Sequence, residues 1–191
     1  MSQLRRGFKT WCENAAASYR RDLGLGRAAP LDPQALARHL GIVVWKPEEI
    51  PGMNKDVLAH LTVSDPESWD AVTIQAEGVT AVILNSVPDV GRRNNSLAHE
   101  LSHIILEHEP AHVFHTPDGH MMMNEYNAVH EEEADCLGGA LLLPREALLQ
   151  AIRAGGLSET TMAQHFGVSP ALLRMRRNTT GVDRQLAYSR R

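Results

Sequence analysis

Ser96-Leu97-Ala98-His99-Glu100-Leu101-Ser102-His103-Ile104-Ile105-Leu106-Glu107-His108 is the stretch around which the rest of the chain is organised. Inside it, His99-Glu100-Leu101-Ser102-His103 is a His-Glu-x-x-His pattern. An α-helix turns about 100° per residue, so positions four apart share a face. His99 and His103 can therefore hold one metal ion from a single helix, and Glu100 stands where a carboxylate reaches a water beside that ion. Leu97, Ala98, Leu101, Ile104 and Ile105 supply an apolar face that seats the helix on a core. Ser96 is expected to cap the helix, which would put Glu100 in the first turns, where the N-terminal dipole favours an anion. The helix is expected to end near His108-Glu109-Pro110.

A catalytic zinc takes three protein ligands and keeps one position open for water. A third histidine six residues beyond His103 would complete one such set, but that position is Glu109, and Leu106 stands where the accompanying glycine would be. The remaining candidates are His108, His130, Glu131, Glu132, Glu133 and Asp135. Glu131 and Asp135 are four apart on a helix expected over 129–143. Glu131 can then bind the metal while Asp135 accepts the free imidazole N–H of a ligand histidine. Glu133 competes for the ligand position, but it lies about 200° round the helix from Glu131, so the two do not easily face one ion. Spacing favours His99, His103 and Glu131 as ligands, with Asp135 behind them. An ion held there acidifies a water and polarises a carbonyl. Glu100 takes the proton and delivers it to the leaving amine. Tyr126 and His130 are positioned to donate to the oxyanion. One zinc ion is the expected cofactor, and a His₂Glu set also accepts other divalent metals.

Working outward, residues 71–75 and 79–84 read as strands joined by a turn at Glu77-Gly78, with shorter strands at 42–45 and 58–63. They predict a small antiparallel sheet directly ahead of the metal helix, with 79–84 as an edge able to pair with an extended peptide. Residues 85–95 read as a polar connection. Residues 1–24 read as a docked amphipathic helix with Leu4, Phe8, Trp11, Cys12, Ala15 and Tyr19 inward and Arg5, Arg6, Arg20 and Arg21 on a solvated face. Asp32 and Pro33 start a helix that Gly41 stops. Residues 110–129, with His112, His115, His120 and Met121-Met122-Met123, read as a loop beside the cleft rather than a second metal cluster.

Gly138 and Gly139 each cost the 129–143 helix about 1 kcal/mol against alanine, which makes sense if another helix approaches closely there. Further helices are expected over 144–154, from Ser158 through Phe166, and from Ser169-Pro170 toward Asn178. Ala163 and Gly167 have the spacing of a helix-turn-helix. The tail from Thr179 reads as frayed.

At 191 residues the chain fits one domain with a small appendage, divided here as 1–150 and 151–191. The formal net charge of −4 gives no global basic field toward nucleic acid or membrane. Cys12 and Cys136 form neither a disulfide framework nor a Cys-x-x-Cys zinc site, and suit a reducing cytoplasm. No signal peptide is read, and no stretch approaches the ~20 apolar residues of a membrane span. A cytoplasmic protein is expected.

The chain resembles the ImmA/IrrE family of intracellular metallopeptidases. The likeness lies in Arg92-Arg93 followed by Ser96 through His103, in Glu131-x-Glu133-Ala134-Asp135, and in Ala140-Leu141-Leu142-Leu143-Pro144. Residues 31–41 and Phe166-Gly167-Val168-Ser169 are also similar to that family. The resemblance implies an α+β fold, with a zincin-like metallopeptidase core followed by a C-terminal helix-turn-helix-like region. It implies His99, His103 and Glu131 as metal ligands and Glu100 as general base. It also implies an XRE-type helix-turn-helix repressor or antitoxin as the partner that is cleaved, so that stress-response or mobile-element genes are derepressed. Ser102 stands where the family often has glycine, on a side facing away from the metal positions. No sensor domain is expected after the helix-turn-helix.

Two other functions are compatible with the residues. One is a non-enzymatic regulator in which 158–178 contacts DNA or a partner, with Arg174, Arg176 and Arg177 reaching phosphates. The other is a toxin of a toxin–antitoxin pair.

Overall fold

A stripe of residues four apart, Phe8, Cys12, Ala16 and Arg20, is the buried face of α1 (Phe8–Asp22). The structure, a computed structural model, describes residues 4–76, 78–109, 113–115, 121–123 and 127–189. Arg20 is not on a solvated face, as its charge suggested. The four-residue stripe carries it inward, where it donates to the carbonyls of Ala16, Ala29 and Leu142 at 3.2, 3.2 and 3.4 Å. Burial, partly offset by Glu13, pulls its pKa down to about 10.

In α2 (Pro33–His39), Asp32 accepts from the Gln34 N–H at 2.9 Å and Gly41 ends the element at φ +71°. The strand β1 (Val43–Trp45) follows. The strand expected over 58–63 is helical instead. Asn54 caps α3 (Lys55–Ala59), accepting from Asp56 N and Val57 N at 2.7 and 3.3 Å, and the chain continues as a π-type turn over His60–Ser64. Thr62 Oγ1 donates to the Leu58 carbonyl at 2.8 Å, so the local cap and back-bonding outweigh the β propensity of the run.

The strands β2 (Ala71–Ala76) and β3 (Val79–Leu84) form an antiparallel hairpin in which Gly78 takes φ +79°. β1 lies on the other side of β3 and runs parallel to it, with Val44 opposite Val82. The sheet is therefore mixed, in the order β1-β3-β2, rather than antiparallel. The long connection over 46–70 joins the end of β1 to the start of β2 at one end of the sheet, and β2 then carries the chain back so that β3 can run parallel to β1. β3 is the central strand, so the edge position foreseen for 79–84 is taken by β1 and β2 instead.

The central helix α4 (Val90–Ile105) begins six residues before Ser96. Asp89 is the cap, accepting from Arg92 N at 3.0 Å, and Ser96 Oγ donates within the helix to the Arg92 carbonyl at 2.9 Å. Glu100 therefore sits in mid-helix, away from the N-terminal dipole. The polar residues that looked like a connection are docking contacts. Arg92 binds Asp70 and Glu67 at 2.8 and 2.9 Å, and Asn94 and Asn95 donate to Gly167 O and Ser169 Oγ at 2.8 and 2.6 Å. Gly91 lets α4 sit on the 168–169 backbone, since a Cβ there would lie 2.7 Å from Val168 C.

After α4, β4 (Val113–His115) pairs antiparallel with β5 (Met121–Met123). His112, His120 and the side chains of His115 and Met121 through Met123 lie outside what is described. Asn127 caps α5 (Ala128–Leu142), accepting from Val129 N and His130 N at 3.0 and 3.3 Å. One hydrophobic cluster joins α1, α2, the sheet, α4 and α5 through Leu36, Val82, Leu97, Leu101, Leu137 and Leu141.

The helices α6 (Arg145–Ala154), α7 (Glu159–Phe166), α8 (Pro170–Thr180) and α9 (Val182–Ser189) complete the described chain. They pack through Leu148, Phe166, Leu173 and Val182 on Ala98 and Leu143. Residue 150, the expected division, lies inside α6. The tail expected to fray is α9, held by buried Val182 and Leu186. Among the described residues no helix is long and apolar enough to cross a membrane.

Candidate metal centre

α4 and α5 cross with Ala98 and His99 against Gly138, His99 against Asp135, and His103 against Glu131. Rising numbers on one helix meet falling numbers on the other, so the pair is antiparallel. The approach is close because Gly138 has no side chain. A Cβ there would stand 3.1 Å from the Ala98 carbonyl oxygen and 3.3 Å from His99 N. The close approach expected from the glycine pair is thus made by the metal helix itself. Gly139 faces α8, where a Cβ would meet Arg176 Cδ at 2.9 Å. Ser102 is wholly buried and donates to the Ala98 carbonyl at 2.6 Å, on the core side of α4.

On the opposite face three donors converge. His99 Nε2 lies 3.0 Å from His103 Nε2 and 3.2 Å from Glu131 Oε2, and His103 Nε2 lies 3.5 Å from Glu131 Oε1. His99, His103 and Glu131 are the group of described residues whose donor atoms all fall within 4.8 Å of one another. Tetrahedral ligands about 2.05 Å from a zinc ion stand about 3.3 Å apart, so the triangle has the size of one face of such a site. The donor chemistry also fits. His99 Nδ1–H donates to Asp135 Oδ1 at 3.0 Å, which in the neutral ring leaves the Nε2 lone pair facing the triangle.

Burial disfavours a charged His99, but the hydrogen bond to Asp135 and the charges of Asp135, Glu100 and Glu131 outweigh it and raise its pKa. His103 moves the other way. Burial first, then the rings of His99, His108 and His130, push it down to about 4.

Glu100 points to the sheet. Its Oε2 accepts from Thr73 Oγ1 at 2.5 Å, on β2. Thr73 was missed in the sequence. The available signal was its place on the inward alternation of that strand, opposite Val82. Glu133, the rival ligand, turns away from the triangle and meets His108 Nε2 at 3.1 Å. His108 places its other nitrogen 3.0 Å from His103 Nδ1. His130 stacks on His108 with ring centroids 4.1 Å apart, and Tyr126 lies outside the described residues.

The Peptidase_M78 family model, an IrrE N-terminal-like domain, matches residues 79–178, which is more than half of the chain and holds all three donors and Glu100. The chain belongs to the ImmA/IrrE family. No curated protein matches it. Membership in this family suggests a zinc metallopeptidase-like domain and implies a divalent metal, usually zinc. The match runs from β3 to α8 and so includes the arginines considered for DNA. Arg176 is buried, donating to Leu143 O at 2.9 Å and to Glu13 at 2.5 Å. Arg174 pairs with Glu159 at 2.8 Å, and Arg177 holds both oxygens of Asp183 at 3.0 and 3.1 Å.

Proposed function

We propose that this family member is a metal-dependent endopeptidase with a zincin-like core and His99, His103 and Glu131 as ligands. The observation that carries the reading is the convergence of those three donors beside Glu100, which a second strand holds in place. A divalent ion there supplies an acidified water and a polarised carbonyl. The chain's own groups do the rest. Glu100, oriented by the Thr73 hydroxyl, accepts the proton of the attacking water and returns it to the leaving amine. Asp135 holds His99 in the Nδ1–H tautomer. Of the two oxyanion donors considered, His130 stays in the reading only if its ring leaves His108; Tyr126 is the other.

β2 is the edge strand beside Glu100, and among the described residues its outer edge pairs with no other strand. An extended peptide added to that edge would carry its backbone past Glu100. The substrate in this reading is a segment of an XRE-type repressor or antitoxin, cleaved in the cytoplasm to derepress stress-response or mobile-element genes. The helices of 151–191 form a helix-turn-helix-like region, α7 and α8, that braces α4 through Asn94 and Asn95. The internal pairing of Arg174, Arg176 and Arg177 favours this bracing role over DNA contact.

The test is Glu100→Gln, purified beside the parent and incubated with the XRE-type protein encoded next to this gene. The variant should retain stoichiometric metal and lose cleavage. Full cleavage by Glu100→Gln, or no metal uptake by the parent, refutes the reading.

A further inference from the structure

The C-terminus of α4 is built at a conformational cost. Leu106 caps the helix, Glu107 N–H bonds the Ile104 carbonyl at 3.1 Å, and His108 N–H bonds the His103 carbonyl at 3.0 Å. This is the Schellman arrangement, and it requires a left-handed residue after the cap. Glycine usually fills that position; here Glu107 does, at φ +55°. The turn folds His108 back over His103. The His108 side chain is only 5% exposed, packed against His130 and bonded to Glu133, which is itself 15% exposed. A strained turn that buries an imidazole against a candidate metal ligand points to a job for that imidazole.

From this geometry we infer that Glu133 and His108 form a relay that positions His103, matching the direct support that Asp135 gives His99; the inference rests on the metal-centre reading above. Two imidazole nitrogens 3.0 Å apart hydrogen-bond only if one of them carries a proton. His108 Nε2 faces a carboxylate, so it carries the proton of the neutral ring and its Nδ1 is an acceptor. His103 Nδ1 must then be the donor. With that proton fixed, the lone pair of neutral His103 sits on Nε2, the nitrogen that faces His99 and Glu131. His108 and Glu133 are positioning residues and touch neither ion nor substrate. Glu131 and Glu133, two residues apart on α5, thus divide two tasks: one completes the triangle and the other anchors the relay.

Zinc affinity of the whole protein, measured by competition with a chromogenic chelator, tests the relay without reference to turnover. His108→Phe keeps a ring against His130 and loses the acceptor; zinc should bind about 10–100-fold more weakly. His108→Asn can place its amide oxygen near the lost Nδ1 and should recover most of that loss. In the zinc-loaded parent, nitrogen-15 spectra should show His103 protonated at Nδ1. Should His108→Phe fail to fold by circular dichroism, Glu133→Leu against Glu133→Gln makes the same comparison, with loss expected only for leucine. Parent-like affinity in a folded His108→Phe, or an equal loss in folded His108→Asn, overturns the relay and leaves the metal centre standing. A parent that takes up no zinc removes both.

Discussion

Replacing Gly138 with alanine tests how the spacing of α4 and α5 sets the donor triangle. On an isolated helix the change should stabilise by about 1 kcal/mol. Here the added methyl would lie 3.1 Å from the Ala98 carbonyl oxygen, 3.2 Å from its carbon and 3.3 Å from His99 N, all backbone atoms. Ordinary contact begins at 3.4 Å, so α4 must retreat by about 0.3 Å. It has little freedom to do so, because Leu97 and Leu101 are wholly buried and Ser102 is bonded to that same carbonyl. Overpacking of this kind costs about 1–3 kcal/mol, so the net effect is between zero and about 2 kcal/mol of destabilisation. That corresponds to a fall in Tm of up to about 8 °C.

The larger consequence is at the metal. His99 and His103 share α4, so their 3.0 Å separation is unaffected, whereas the 3.2 and 3.5 Å distances to Glu131 widen. Ligand distances tolerate only about ±0.2 Å, and zinc affinity should fall by about tenfold. Thermal unfolding and chelator competition on the same preparation give both numbers. A Gly138→Ala protein that is about 1 kcal/mol more stable, with parent zinc affinity, would refute the claim that this glycine sets the approach.

Zinc affinity should rise with pH above the ordinary histidine range and release about one proton, because the raised pKa of His99 keeps it charged there and the metal needs its lone pair. His103, at about 4, is already neutral and adds nothing to that slope. Chelator competition between pH 5.5 and 8 measures it, and a two-proton slope would contradict the unequal histidines. Thr73→Val removes the donor to Glu100 while keeping the strand, so, on the proposed activity, peptide cleavage should slow by about 10–100-fold with zinc affinity unchanged. Thr73→Ser should restore most of the rate, and an unaffected valine variant would show that Glu100 needs no such support.

Short-range order was legible in the chain. His99 and His103 are four apart, Asp32 precedes Pro33, Ser158 and Ser169 precede helices, and each appears as expected because caps and helix faces depend on neighbours within one or two turns. Gly138 was legible as a close approach but not as an approach to His99. Local signals misled where a tertiary contact supplied the missing partner. Ser96 looked like a cap because residues 92–95 are polar, yet Arg92, Asn94 and Asn95 bond Glu67, Asp70, Gly167 and Ser169 and the helix extends through them. Arg20 looked solvated until carbonyls from three parts of the chain enclosed it.

Donor types, their shared face on α4 and the carboxylate face of α5 follow from residue identity and spacing, since the helical repeat alone decides which side chains point together. Spacing already favoured Glu131 over Glu133, but where each carboxylate lands depends on how the two helices cross. Glu131 and Glu133 are chemically identical and two residues apart, and the crossing of α5 over α4 sends one to the triangle and the other to His108. Tertiary packing likewise put β3 at the centre of the sheet, left β2 as the edge beside Glu100 and set Thr73 against that carboxylate. A register between segments distant in sequence is set by packing the whole core, which no window of the chain contains.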